Sequence, residues 1–206
     1  MANYDLFNGD ADGICALTQL RNANPLEATL ITGVKRDIDL LKQVNPAAGD
    51  NITVLDVSMD TNKEPLLYCL EKGAKVFYVD HHFAGEIPNN PNLHAIINET
   101  PDVCTSLLVD QYLKGQFREW AVVGTFGDNL RKTAMGLAKA LNVTEEQLTQ
   151  LENLGIYINY NGYGSNLEDL LFNPEDLYRA VSRYASPFDF IREGKADFEK
   201  LETGYN

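Results

Sequence analysis

Short apolar runs alternate with helical spacings along residues 1–130. Runs rich in β-branched and aromatic residues, bounded by Gly, Pro, Asn or Asp, read as strands. They are Tyr4–Phe7, Ala28–Thr32, Ile52–Leu55, Val76–Val79 and His94–Ile97. Between them, apolar residues recur at helical intervals over Gly13–Asn22, near Asp37–Val44, over Lys63–Lys72 up to Gly73, and over Thr105–Lys114 up to Gly115. Alternation of this kind predicts βαβ units, and so an α/β fold with a doubly wound, mostly parallel sheet.

Beyond the apolar run Trp120–Val123 and a turn at Gly124 the pattern becomes helical. Leu130, Ala134, Leu137, Ala138 and Leu141 mark one helix face. Thr144-Glu145-Glu146-Gln147 is a capping box, and Asn173-Pro174-Glu175-Asp176 opens another helix with Pro at its first position and acids in its first turn. The Asn-, Gly- and Tyr-rich stretch Tyr157–Asn166 reads as a loop. The chain therefore divides into an α/β core over residues 1–130 and a helical extension over 131–206 packed on it.

Composition narrows the partners. The 206 residues, 44% hydrophobic, suffice for one substantial core. The net charge of −13 repels polyanions, which argues against a long nucleic-acid duplex. A nucleotide or short single-stranded oligonucleotide held through a metal remains compatible. Cys15, Cys69 and Cys104 are odd in number and form no Cys-x-x-Cys pair, as expected of buried free thiols in a reducing cytoplasm. No signal peptide or membrane-spanning stretch is visible, so no membrane partner is expected.

Candidate chemistry collects where strands end. Asp80-His81-His82 closes the run Ala74–Val79 and holds two of only three histidines. Ligand sites of open parallel sheets lie at the carboxyl ends of strands. Asn8-Gly9-Asp10-Ala11-Asp12-Gly13 follows the first strand, Asp56 follows Ile52–Leu55, and Gly127-Asp128-Asn129 follows the run from Trp120. Read as four strand ends, these share one edge of the sheet. Singly, each is an ordinary turn or helix cap. Together, their carboxylates repel at neutral pH unless a divalent cation joins them. Asp and His without Cys suit Mn²⁺ first, then Mg²⁺ or Zn²⁺. One ion, or two bridged by a carboxylate, would activate a water and clamp a phosphoryl group. His94, inside its run, reads as a partly buried strand histidine, and Met59 as a packing residue.

Asp10-Ala11-Asp12-Gly13, Asp56, Asp80-His81-His82 and Gly127-Asp128, in that order, resemble the DHH phosphoesterase superfamily, named for its Asp-His-His motif. It includes RecJ exonucleases, oligoribonucleases, cyclic-dinucleotide phosphodiesterases and manganese pyrophosphatases. The resemblance implies that Asp10 and Asp12 divide between two metals, that Asp56 bridges them, and that His81 and Asp128 bind the second. It implies that Asp80 steadies the histidines and that His82 faces the scissile phosphate. Thr105 and Ser106 fall where the family often has small hydroxyl residues near its substrate. Asn129 and Arg131 lie close enough in sequence to reach phosphate oxygens.

The chain departs from the family twice. A His or Asp usually precedes the first aspartate, whereas Leu6, Asn8 and Gly9 stand here, leaving only the neutral carbonyl of Asn8. One metal site is then complete and the other lacks a charged ligand. The family's glycine-rich C-terminal substrate-binding domain is not recognisable after residue 130. The expected activity is metal-dependent hydrolysis of a phosphodiester in a nucleotide or short oligonucleotide. The alternatives are pyrophosphate or polyphosphate hydrolysis at the same site, or a non-catalytic nucleotide- or partner-binding module. A haloacid-dehalogenase-like phosphatase also places Asp-x-Asp after its first strand, but leaves His81 and His82 unexplained.

Overall fold

The computed structural model describes residues 1–206. Five strands, β1 (Asn3–Phe7), β2 (Thr29–Ile31), β3 (Asn51–Leu55), β4 (Lys75–Asp80) and β5 (Leu93–Ile97), form one sheet in the order β2-β1-β3-β4-β5. Every pairing is parallel, with Tyr4 opposite both Thr29 and Ile52, Leu55 opposite Val79, and Asp80 opposite Ile97. The chain leaves β1 on one side for β2 and then on the other for β3, so the strand order reverses between β1 and β3. Such a reversal opens a crevice at the carboxyl ends of the two strands, the usual ligand position in these sheets.

Strand residues alternate between two cores because successive side chains point to opposite faces. Leu6, Val54 and Tyr78 pack on one side with Leu40, Leu41 and Leu66. Phe7, Leu55 and Val79 pack on the other with Ile14, Leu108 and Val123. Burial on both faces explains why the strands read as unbroken apolar runs. Helix α1 (Ala11–Ala23), α3 (Thr105–Tyr112) and α4 (Arg118–Gly127) cover the second face, and α2 (Lys63–Glu71) the first.

The remaining helices are α5 (Arg131–Ala138), α6 (Glu145–Asn161), α7 (Pro174–Val181), α8 (Pro187–Glu193) and α9 (Lys195–Tyr205). Leu151, Leu154 and Ile158 of α6, Leu177 of α7, Phe190 of α8 and Leu201 of α9 share one apolar cluster with α1 and α4. The Trp120 indole N–H donates to the Tyr184 carbonyl at 2.9 Å, tying α4 to the segment before α8. The capping box forms as expected: Thr144 Oγ1 accepts from the Gln147 amide at 3.2 Å, and Gln147 Oε1 from the Thr144 amide at 2.9 Å. Asn173 likewise caps α7. No helix is long and apolar enough to cross a membrane.

Four local expectations need correction. Trp120–Val123 belongs to a helix, because Trp120–Gly127 is buried on every side and shows no polar face to reveal a 3.6-residue period. Asp37–Val44 holds only a 3₁₀ turn at Leu40–Gln43. There the Asp37 carboxylate accepts from the Val34 amide and favours a turn over a helix start. Helix α6 runs on through Tyr157–Asn161, where Ile158 continues its buried stripe. His94 is exposed, since β5 is an edge strand; the Phe77 and Tyr112 rings flank it at 5.1 and 6.2 Å.

Candidate metal centre

The first acids are placed by the turn from β1 into α1. Asn8 Oδ1 accepts from the Asp10 amide at 3.2 Å, while Asn8 Nδ2 donates to the Lys35 carbonyl at 3.1 Å. Both ends of the Asn8 amide are thus engaged with the protein. Asp10 caps α1, its Oδ1 accepting from the Asp12 and Gly13 amides at 3.0 and 3.2 Å. Its Oδ2 lies 2.6 Å from Lys35 Nζ. Asp12, in the first turn of α1, meets the start of α3. Its Oδ2 accepts from the Thr105 amide at 2.7 Å and its Oδ1 from the Ser106 amide at 2.6 Å. A carboxylate aimed at a helix start is held by its free amides and by the helix dipole.

Asp56 ends β3 in the left-handed region at φ 60°, a strained backbone for a residue with a β-carbon. Its amide donates to the Val79 carbonyl at 3.1 Å, and its Oδ1 accepts from Thr105 Oγ1 at 3.2 Å. Asp80, fully buried at the end of β4, is joined through Oδ1 to His82 Nδ1 at 2.7 Å, while its Oδ2 has no partner. The His81 and His82 rings lie 4.3 Å apart, tilted by 51°.

Asp128 closes α4 rather than a strand, so the chemistry gathers from three strand ends and one helix end. Two glycines bring α4 that close. A β-carbon on Gly124 would fall 2.2 Å from Ser106 Oγ, and one on Gly127 would fall 2.3 Å from the Ala11 β-carbon. Read in the sequence as turn signals, these glycines are helix-packing positions.

His81 is shared by two clusters of potential ligands, one with Asp12 and Asp128 and one with Asp56 and His82. His81 Nε2 lies 3.4 Å from Asp56 Oδ1, 3.8 Å from Asp12 Oδ2 and 3.9 Å from Asp128 Oδ2. The last two spacings are too long for hydrogen bonds. They suit ligands of an ion with bonds of about 2.1 Å, where adjacent donors stand roughly 3 Å apart and opposite ones roughly 4.2 Å. The electrostatics agree. Burial first, then Asp12 and Asp10, push the Asp128 carboxyl up to about 8. Burial, then Asp12, Asp10 and Asp80, hold the Asp56 carboxyl well above the usual carboxylate range. A cation among them relieves that repulsion. His82 differs: its hydrogen bond to Asp80 raises its pKa and favours the imidazolium. His82 Nδ1 also stands 3.9 Å from Asp56 Oδ1, but Asp80 already occupies that nitrogen.

Of the sequence-expected residues, Asp12, Asp56 and Asp128 therefore surround His81, with Asp80 and His82 beside them. Asp10 faces Lys35 instead. Thr105 and Ser106 are fully buried and hold the acids in position, Ser106 Oγ donating to the Asp12 carbonyl at 2.8 Å. Asn129, at φ 60°, lines a cavity of about 230 Å³ with Asn159 and Tyr160. Arg131 is turned to Glu152 at 2.7 Å.

Sequence reading missed Lys35, Asn159 and Tyr163. Lys35 Nζ donates to Asn159 Oδ1 at 3.0 Å and stands 5.3 Å from the centre of the Tyr163 ring. Burial opposes its charge, but Asp10 outweighs that and holds the ammonium above its ordinary range. Lys35, Arg36, Gly162, Tyr163, Gly164 and Ser165 line a cavity of about 470 Å³ next to Asp10. The available signal was a basic pair, Lys35-Arg36, just past the carboxyl end of the second strand of an acidic chain. A larger cavity of about 520 Å³, bordered by Asp5, Tyr178, Arg179 and Arg183, contains none of the site residues.

A parallel sheet with its Asp and His side chains gathered beyond the carboxyl ends of β1, β3 and β4 is an open α/β fold of the doubly wound kind. The fold recurs in a solved structure. The chain aligns with a crystal structure of exonuclease RecJ bound to manganese at a TM-score of 0.61 and 19% identity, over 98% of this chain and 60% of that one. It aligns with RecJ from Thermus thermophilus in complex with Mn²⁺ at a TM-score of 0.46 and 17% identity, over 94% of this chain and 36% of that one. The chain thus spans less than two thirds of the length of either. No protein-family model and no curated protein matches it.

Proposed function

We propose that this chain is a metal-dependent phosphoesterase that hydrolyses a phosphodiester in a nucleotide or short single-stranded oligonucleotide. The observation that carries this reading is the convergence of Asp12, Asp56 and Asp128 oxygens on His81 Nε2 within 3.9 Å. Such a donor set suits Mn²⁺, with Mg²⁺ a second choice. A bound ion would supply Lewis acidity toward a phosphoryl oxygen and lower the pKa of a water.

The protein supplies position and proton control. Thr105 and Ser106 hold Asp12 and Asp56 in fixed orientations through the start of α3. Asp80 orients His82 through Nδ1, which leaves Nε2 to donate a proton to a departing oxygen. The cavity beside Asp10 offers a basic pair and the exposed Tyr163 ring, a suitable surface for one nucleotide. A net charge of −13 weighs against a longer polyanion. Three buried free thiols fit work in a reducing compartment such as the cytoplasm.

The test is Mn²⁺-dependent turnover on a panel of dinucleotides, short single strands, pyrophosphate and polyphosphate. Cleavage of a phosphodiester, abolished by Asp56→Ala or His81→Ala, is the expected result. Turnover unchanged in those variants would refute the mechanism. Cleavage confined to pyrophosphate or polyphosphate would move the substrate class while keeping the site.

A further inference from the structure

Asp10 and Asp12 are expected to serve two metals, yet only Asp12 faces the convergent donors. Asp10 Oδ1 is held by two amides of α1, and its Oδ2 lies 2.6 Å from the Lys35 ammonium. That lysine is fixed from several directions. Its amide donates to the Gly162 carbonyl at 3.1 Å, its carbonyl accepts from Asn8 Nδ2, and its Nζ donates to Asn159 Oδ1. Asn8, neutral where the family carries a charged ligand, belongs to this same arrangement: it grips the backbone of Lys35. A second ion placed on Asp10 Oδ2 would have to displace or repel an ammonium already at contact distance.

We propose that the centre takes a single divalent ion, on Asp12, Asp56, His81 and Asp128, and that the Lys35 ammonium stands in the place of a second cation. The proposal rests on the metal-dependent reading of the site given above. It also assigns Lys35 a task. Asp10 and Asn159 use two of its three N–H donors, and the third is free for an anion in the cavity that Lys35, Arg36 and Tyr163 line. A phosphate oxygen bound there would meet a fixed charge instead of an exchangeable ion.

Mn²⁺ titration of the chelator-treated full chain by calorimetry, with electron paramagnetic resonance of the loaded protein, tests this directly. One ion per chain with the spectrum of an isolated Mn²⁺ is expected. Two ions with an exchange-coupled spectrum would overturn the single-ion proposal and leave the phosphoesterase reading intact. No ion at all would overturn the metal-dependent reading itself. A second arm uses the double variant Asp10→Asn, Lys35→Met, which makes the pair neutral and keeps the capping oxygen. It should still bind one ion with Kd changed by less than about tenfold, below the usual loss for a removed ligand partner. Loss of the ion from a double variant with native circular dichroism and melting temperature would make Asp10 a ligand and overturn the proposal.

Discussion

At the scale of single residues, His81 and His82 share a motif but not a task. His81 points Nε2 into the carboxylates, while His82 gives Nδ1 to Asp80. Removing His82 should therefore spare the metal and damage turnover. His82→Ala is expected to lower turnover by about 10²–10⁴-fold, the range for a lost general acid, with Mn²⁺ affinity by calorimetry unchanged. His81→Ala should instead lose the ion. Asp80→Asn is the subtler case. Its bond raises the His82 pKa, so weakening it returns His82 toward its ordinary value and depletes the acid form at lower pH. Turnover should fall roughly 10–100-fold, with the alkaline limb of the pH–rate profile moved to lower pH. An unmoved limb would show that His82 is not the group titrating. Asp12, Asp56 and His81 were legible as candidates because they follow β1, β3 and β4 in a recognisable order, and Asp128 because it completes that order, although it closes a helix. Lys35 was not, because its role arises only when the loop after β2 meets Asn159, which lies 124 residues away in sequence.

Elements explain both the successes and the errors. The strands were visible because burial on two faces writes long apolar runs into the chain. Helix α4 was hidden by the same cause: a segment buried all round carries no amphipathic period, and Val122-Val123 lent it the look of a strand. Its glycines show what it is for. Gly127 lets α4 approach α1 so that Asp128 reaches Asp12, and a β-carbon there would meet Ala11 at 2.3 Å. Gly127→Ala should destabilise the fold by about 1–3 kcal/mol, as expected of overpacking, and weaken Mn²⁺ binding by displacing Asp128. Gly136, in α5, has nothing within 4 Å of its would-be β-carbon. Gly136→Ala should stabilise by up to about 1 kcal/mol through helix propensity and leave the metal untouched. Chemical denaturation of the two variants separates close packing from propensity, and equal effects would contradict this account of α4.

For the whole molecule, the carboxylates concentrated at one edge of the sheet set how stability depends on pH and metal. In the metal-free protein Asp128 is pushed up to about 8, and Asp56 is raised in the same direction. A carboxyl whose folded pKa exceeds its unfolded value favours the folded state most at low pH, below the unfolded value near 4. That contribution is lost as pH rises through the folded value, because the unfolded chain ionises first. The metal-free protein should therefore lose stability between about pH 5 and pH 8, over a window in which unperturbed carboxylates no longer titrate. A divalent ion at this site would bind the ionised carboxylates, so it would compete with protons for the same oxygens and its stabilisation should grow with pH. Thermal melts of the chelator-treated and Mn²⁺-saturated chain at pH 5.5 and pH 8 test this, and Gly136→Ala offers a control outside the cluster. The increase in melting temperature on adding Mn²⁺ should be clearly larger at pH 8. An equal increase at both values would mean that the ion is not replacing protons on Asp56 and Asp128, and would place it elsewhere on this acidic surface.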